Sequence, residues 1–420
     1  MKTTIITMTS AFLLACGQAF AAYSPELQAK AEQGDAAAQY ELGKCYMYDG
    51  VVKLDRQVAV KWCRKAAEQG YAPAQYMLGH WYGLGEGVEM DEVESHKWYR
   101  KAAEQGYAPA QCNLGECYMY GGVKLDRQEA VKWCRKAAEQ GYAPAQYRLS
   151  LWDALVEGVE MNEVESHKWC RKAAEQGYAP AQYMLGCDYH SGGPVEKNMQ
   201  EAIRWWRMAA EQGNAEAQRE LRKVEKCEEI RKAAEQGDAE AQCELGKCYL
   251  RGEGVLQDSR EAVKWYRKAA EQGYAPAQCN LGDRYDAGTG VEKNVQEAIR
   301  WWRAAAGQGN SWAEYKLGEC YEMGIGVAVD MQEAVKWYRK AAEQGEDLAQ
   351  YELGKCYWCG DGVEKDLIQA ARWLCKALEQ DDDNDSFLYI LDEIKEELRK
   401  AAEKGDTEAQ AELRRLESRE

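Results

Sequence analysis

The sequence predicts an all-α fold, a right-handed α-solenoid superhelix in which antiparallel helix hairpins stack one upon the next. One observation is that Ala-Ala-Glu-Gln-Gly and its variants recur along the 420 residues, mostly 36 residues apart. Another is that each interval carries two helical apolar faces separated by a Gly-x-Gly-Val turn. A single hairpin cannot bury its own apolar face, whereas stacked hairpins bury a continuous one.

Nine full repeats follow from this spacing, and we number the residues of each from position 1. Their first residues are Asp35, Tyr71, Tyr107, Tyr142, Tyr178, Asp238, Tyr274, Asn310 and Glu346. Ala, Leu and Tyr at positions 4, 8 and 12 share one face of a first helix. A second helix presents Ala, Trp and an Ala pair, as in Ala262, Trp265 and Ala269-Ala270. We expect this Trp, present in all nine repeats, to fill the space beside the small Ala pairs.

Other segments flank or interrupt the repeats. Residues 1–21 are predicted to be a signal peptide that is cleaved after Ala19-Phe20-Ala21, so the protein is expected to be exported, periplasmic or secreted. The alternative is a lipoprotein anchored through a lipid tether on Cys16. Residues 22–213 hold repeats one to five and residues 238–381 hold repeats six to nine. Residues 214–237 lack the turn and the Trp and predict one longer connecting helix, and residues 382–420 predict a C-terminal helical cap.

The repeated pattern resembles the Sel1-like repeat (SLR) family, which is related to tetratricopeptide repeats. The residues that carry the resemblance are Leu-Gly-x-x-Tyr, Gly-x-Gly-Val-x-x-Asp and Ala-x-x-Trp-Tyr-Arg-Lys-Ala-Ala-Glu-Gln-Gly, and Leu245 to Gly273 shows almost the whole set. The resemblance implies an α-solenoid that binds proteins and assembles complexes. Exported bacterial members are similar to envelope adaptors, regulators or factors that meet host proteins, and the fold implies no chemistry of its own.

The charge balance bears on the class of partner. The chain has 54 Lys and Arg against 71 Asp and Glu, a formal net charge of −17. Nucleic-acid binding requires a basic surface, so a nucleic-acid partner is excluded. No stretch after the signal peptide approaches the ~20 apolar residues of a spanning helix, so we predict no transmembrane segment. The acidic surplus favours a basic or neutral protein or peptide as the partner.

Motifs for enzyme chemistry are missing from the sequence. There are four His residues, no HExxH motif, no GK[ST] phosphate loop and no G-x-S-x-G elbow. We therefore predict a non-enzymatic scaffold without cofactor or metal, with His96 and His167 on a solvated face. Two alternatives remain open: a weak hydrolase or penicillin-binding activity, as proposed for cysteine-rich relatives, and a cell-wall glycan-binding module that stacks sugars on Trp and Tyr.

Candidate binding residues lie on the first helices, which line the concave face of a solenoid. After the framework residues are subtracted, positions 7, 10, 11 and 14 carry specificity. Repeats one to four are rich in aromatic and apolar residues at these positions, as expected of a binding hot spot. The alternative is that Trp81 and Trp152 pack between hairpins. The predicted partner-binding residues are Tyr48, Met77, His80, Trp81, Tyr120, Arg148 and Trp152.

The sixteen cysteines invite a disulfide interpretation because an exported chain meets an oxidising environment. Yet Cys alternates with Tyr at position 6 and at the residue after the second-helix Trp, which indicates packing sites. We expect those two sites to meet across the junction between repeats, and no junction has Cys at both. The candidate disulfide pairs are Cys45 with Cys63, Cys117 or Cys112 with Cys134, and Cys227 with Cys248.

Overall fold

A computed structural model describes residues 23–48, 53–120, 125–152, 163–379 and 385–417, and this part of the chain forms 22 helices and no strand. The predicted signal peptide and Cys16 lie outside the described residues. The chain divides into two compact units, residues 1–218 and 219–420. The helices that lie in the first unit are α1 (Pro25–Glu32), α2 (Ala36–Tyr48), α3 (Arg56–Glu68), α4 (Ala72–Leu84), α5 (Glu92–Glu104), α6 (Ala108–Tyr120), α7 (Arg127–Glu139), α8 (Ala143–Trp152), α9 (Glu163–Glu175), α10 (Ala179–Ser191) and α11 (Met199–Glu211).

The boundary between the units falls within α12 (Ala215–Glu235), one helix that occupies the segment predicted to connect the two arrays. The remaining helices belong to the second unit. They are α13 (Ala239–Arg251), α14 (Ser259–Glu271), α15 (Ala275–Ala287), α16 (Val295–Ala306), α17 (Ser311–Met323), α18 (Met331–Glu343), α19 (Asp347–Cys359), α20 (Leu367–Leu378), α21 (Asp385–Glu403) and α22 (Thr407–Glu417).

Each repeat is a helix hairpin, and within each unit the hairpins stack in sequence. A first helix packs against the second helix of its own repeat and against the second helix that precedes it. The Leu at position 8 is buried at every repeat, with Leu78, Leu114 and Leu281 fully so. Apolar burial on both sides of each first helix holds the stack together. The prediction of an all-α solenoid of stacked hairpins is confirmed.

The Gly at position 9 lets the two helices of a hairpin approach closely. A methyl group placed on Gly282 would lie 2.6 Å from the indole of Trp302, the residue after the second-helix Trp. Only a residue without a side chain fits at such a distance. The fourth repeat has Ser150 at this position, and its carbonyl accepts a hydrogen bond from the Ser166 hydroxyl at 2.6 Å.

The second-helix Trp lies against the preceding hydrophobic cluster, as Trp265 does beside Leu245. At Trp205 and Trp301 the preceding Arg lies over the ring. In the other seven repeats the Lys three residues later covers it; the Lys268 ammonium lies 3.9 Å from the Trp265 ring centroid. This cation–π contact keeps the Lys in water while it shields the indole. The Trp is therefore packed as predicted, at the outer edge of the core.

A row of buried glutamines, which the sequence analysis did not predict, connects successive repeats. At position 5, Gln278 donates its side-chain amide to the Ala270 carbonyl at 3.1 Å and accepts a hydrogen bond from Gln308 at 2.9 Å. Eight repeats bury such a Gln, and their donations satisfy carbonyls at the ends of second helices. The donors are Gln39, Gln75, Gln111, Gln146, Gln182, Gln242, Gln278 and Gln350.

The C-terminal helices α21 and α22 cover the apolar side of the last repeat. Ile394 and Leu398 of α21 and Leu413 of α22 share a buried cluster with Leu374 of α20. The Phe387 ring stacks on Tyr351, with ring centroids 4.5 Å apart. These helices do for the ninth repeat what a following hairpin does for the others.

Candidate interaction surface

The first-helix strip, which we define as positions 7, 10, 11 and 14, is divided by the structure into an inner and an outer row. Trp81 and Trp152 at position 11 are 0% and 2% exposed, and Met77 at position 7 is also buried. The prediction that these three side chains are exposed for contact with a partner is wrong, because all three are buried in the stack. Position 11 follows the core Leu at position 8 by three residues and shares its face, so its side chain points at the preceding second helix.

Tyr48 and Trp81 join the first two repeats across this strip. The Trp81 indole donates a hydrogen bond to the Tyr48 hydroxyl at 3.0 Å. Burial raises the pKa of Tyr48 to about 12, although the residue remains partly exposed. Trp81 therefore acts as a support that holds Tyr48 in place at the surface.

Position 14 forms the outer row. Tyr48, Leu84 and Tyr120 occupy it in repeats one to three, with exposed fractions of 36%, 36% and 68%. We call these three residues the apolar ladder. They lie at the same position of the first helices of three successive repeats, α2, α4 and α6, so we expect them to face the same side of the stack. The equivalent residue of the fourth repeat, Leu155, lies outside the described residues.

Two predicted polar residues accompany the ladder. His80 is half-buried, and the loss of hydration lowers the pKa of its imidazole below the usual value. Arg148 is half-buried and forms an ion pair with Glu116 of the preceding first helix. His80 lies one turn before Leu84 on α4, and Glu116, the partner of Arg148, lies one turn before Tyr120 on α6.

Polar contacts are frequent along the first helices of the eighth and ninth repeats. The Tyr338 hydroxyl donates to Glu322, and the Tyr315 hydroxyl donates to Glu319 at 2.9 Å. Lys355 pairs with Glu352, and burial raises the pKa of the Glu352 carboxyl. These groups are largely satisfied by one another. Among the described residues, the outer row of the second unit holds one large exposed apolar side chain, Met323, whereas that of the first unit holds the three of the ladder.

The described residues contain no group of three or more His, Cys, Asp or Glu side chains placed to hold a metal ion. His167, expected on a solvated face, is instead buried, and its Nδ1 lies 2.8 Å from the Asp188 carboxylate. His96 is half-buried and meets the Tyr118 ring edge-on, with ring centroids 5.1 Å apart. In the described parts of the chain, no helix has the length and apolar character needed to cross a bilayer.

The sequence offered two candidate partners for Cys134, which are Cys117 and Cys112. Cys117 and Cys134 are thiols, and the sulfur that contacts Cys134 is that of Cys112. Position 6 faces the residue after the second-helix Trp within one repeat, as Tyr315 faces Tyr338 with centroids 5.9 Å apart. The expected contact across the junction was wrong because the two helices of a hairpin, rather than of neighbours, bring these sites together.

The first repeat shows the same arrangement. The Cys63 thiol lies in one buried cluster with Tyr40 of its own repeat. Cys45, at position 11, is buried as well. The predicted pairing of Cys45 with Cys63 remains a prediction.

Comparisons with known proteins agree with this architecture. A family model described as "Sel1 repeat" matches nine stretches, residues 36–71, 72–107, 108–142, 143–178, 179–214, 239–274, 275–310, 313–346 and 347–382. A search of curated proteins found no match.

Among solved structures, the chain is similar to a protective antigen present in uropathogenic Escherichia coli strains that displays an SLR fold. The two are 35% identical, the match covers 93% of this chain and 92% of that one, and the TM-score is 0.48. It is also similar to a Sel1 repeat protein from Oxalobacter formigenes, at 28% identity over 91% of this chain and 93% of that one, with a TM-score of 0.33.

Proposed function

Because the chain belongs to the Sel1 repeat family, whose members are generally non-catalytic protein-interaction scaffolds, we propose that it binds a protein or peptide partner on the concave face lined by its first helices. The observation that carries this proposal is the apolar ladder of Tyr48, Leu84 and Tyr120. Exposed aromatic and aliphatic side chains in a row, with Trp81 packed behind them, have the composition of an interface hot spot.

The chemistry of the ladder defines what the partner must offer. Two tyrosines can pack against apolar side chains while their hydroxyls reach backbone or side-chain polar groups. The chain's net charge of −17 favours the approach of a neutral or basic segment and disfavours an acidic one. An extended peptide or a helix with a few apolar anchors and flanking Lys or Arg fits these requirements.

A pull-down from envelope and host extracts tests the proposal with a matched control. The variant Leu84→Ala plus Tyr120→Ala removes ladder side chains, neither of which packs in the core. The control, Leu54→Ala plus Leu125→Ala, removes two leucines that are both 58% exposed and lie just before second helices. We expect a protein that is retained by the wild type and the control and lost by the ladder variant. Retention of every partner by the ladder variant would contradict the proposal.

The site of action that we propose is outside the cytoplasm, on the strength of residues 1–21. Cleavage after Ala21 would give a mature chain that begins at Ala22, and the alternative is a lipid tether on Cys16. Mass spectrometry of the N-terminal peptide from cell fractions distinguishes the two. A chain that keeps Met1 and remains in the cytoplasmic fraction would contradict export.

A further inference from the structure

Two positions meet at several junctions between a second helix and the next first helix. The second helix contributes the residue two before its Trp, which is Val or Ile in most repeats, and the next first helix contributes position 11. Val335 meets Cys356 in one buried cluster, and Ile299 meets Cys320 in another. In the second repeat position 11 is Trp81 instead of Cys, and it shares a buried cluster with Val60. The stack therefore brings these two positions together repeatedly, whatever residues occupy them.

One junction has cysteine at both positions. Cys227 of α12 stands where six of the nine second helices have Val or Ile, and Cys248 of α13 is at position 11 of its repeat. The two lie in one cluster with Ala234 and Leu245. Both are thiols, and their sulfur atoms are in hydrogen-bonding contact.

The two thiols differ in access and in acidity. Cys227 is 2% exposed, whereas Cys248 is only partly buried. The hydrogen bond that Cys227 gives to the Cys248 sulfur lowers the pKa of Cys248 and raises that of Cys227. Cys248 is thus the thiol that an oxidant reaches and the better thiolate of the two.

The junction at α12 has less apolar burial than its counterparts. Glu229 stands at the position of the second-helix Trp and is exposed, and the buried residues of α12 are Ala217, Cys227 and Ala234. In α14, by comparison, the buried set includes both Val263 and Tyr266. A covalent link therefore adds stability at a place where the usual side chains are missing.

We propose that Cys227 and Cys248 form a disulfide that fastens α12 to the first helix of repeat six. The oxidant is a protein or small-molecule disulfide. The Cys248 thiolate attacks one of its sulfurs and releases one thiolate. Cys227 then loses its proton and attacks the Cys248 sulfur, which releases the second thiolate. Two protons and two electrons leave the cysteine pair, and the oxidant becomes two thiols.

Peptide mapping of the full chain tests the link directly. The protein is incubated with oxidised glutathione, alkylated, and digested with trypsin without reduction. Cleavage after Lys226, Arg231, Lys247 and Arg251 isolates the two cysteines in short peptides, residues 227–231 and 248–251. We expect these two peptides to be joined, and to separate after reduction. Recovery of both as alkylated thiols, or of Cys248 joined to another cysteine, would overturn the proposal.

Two variants sharpen the test. Cys227→Val restores the residue type of the other repeats, so the chain still folds; the linked peptide should vanish. Oxidation should raise the melting temperature of the wild type by roughly 5 °C and leave that of this variant unchanged.

Ile299→Cys creates the equivalent pair with Cys320 and should form a second link. A link at 299–320 without one at 227–248 overturns the proposal, and so does the absence of both.

Discussion

Glu314 occupies the position at which eight other repeats bury a glutamine. It accepts a hydrogen bond from Gln344 at 2.6 Å, as the glutamines do from their partners. An ionised carboxylate has no proton to donate to the carbonyl that the glutamines satisfy. Burial accordingly raises the pKa of the Glu314 carboxyl above its usual value of 4.5. The eighth repeat therefore differs from its neighbours in one buried hydrogen-bond donor, the side-chain amide that Glu314 lacks.

Glu314→Gln should stabilise the protein by about 1 kcal/mol at neutral pH, since it restores one buried hydrogen bond. In the wild type the folded state holds its proton to higher pH than the unfolded chain, so stability decreases as pH rises through that window. The gain should therefore be present at pH 7 and shrink toward pH 4. Urea unfolding at the two pH values measures it, and an equal gain at both would contradict this account.

Trp81→Ala should destabilise the first unit by about 3–5 kcal/mol, because it empties a fully buried site and removes the hydrogen bond to Tyr48. His80→Ala, at the neighbouring half-buried residue, is the control and should cost much less. Thermal melting of the two variants gives the comparison. Similar melting temperatures for both would show that Trp81 is not a core residue.

The sequence predicts the framework residues well and the direction of position 11 poorly. Leu at position 8 and Trp in the second helix recur in every repeat, and recurrence at helical spacing marks the core. Position 11 varies among Cys, Trp, Asp and Arg, which is typical of a surface position. Its side chain lies at the edge of the core face, so only the placement of the preceding helix shows that Trp81 and Trp152 are buried.

At the scale of the helix, the close approach of the first and second helices of a hairpin fixes how the two are aligned along each other. Gly282 lies against the Trp302 indole, and the same contact recurs as Gly246 against Tyr266. The sequence marks the position by its repeated Gly. It does not give the partner, because the aromatic residue that needs the space lies on the next helix. For the same reason, the sequence left open whether Cys117 or Cys112 faces Cys134, and only the structure selects Cys112.

Gly282→Ala should destabilise the protein by about 1–3 kcal/mol, since the added methyl group forces the two helices apart. The control is Gly193→Ala, where an added methyl group meets nothing within 4 Å. Melting temperatures of the pair provide the measurement. Equal behaviour of the two variants would mean that the helices do not approach as closely as described.

At the scale of the whole molecule, each repeat depends on its neighbours for burial. The end of such a stack therefore needs a cover, and α21 and α22 provide one for the ninth repeat. The sequence predicts this cap from its lack of turn and Trp. It does not predict which surface the protein uses, because that surface depends on exposed residues outside the repeated framework.

Removal of residues 385–417 should expose Leu374 and its neighbours in the last hairpin. We expect a lower melting temperature and self-association, because an uncovered apolar end can pair with another copy. Size-exclusion chromatography of the shortened and full chains detects the change. A monomeric shortened chain with unchanged melting would contradict the role of these helices as a cap.

Photo-crosslinking tests most directly whether the ladder is the docking surface. A photoreactive phenylalanine analogue is placed at Tyr120 in one protein and at Leu125 in another; Leu125 is 58% exposed, against 68% for Tyr120, and lies just before the second helix of the same repeat. After irradiation in cells, the account predicts a discrete protein adduct from position 120 and none of that mass from position 125. The same adduct from both positions, or an adduct from position 125 alone, would contradict binding along the first helices.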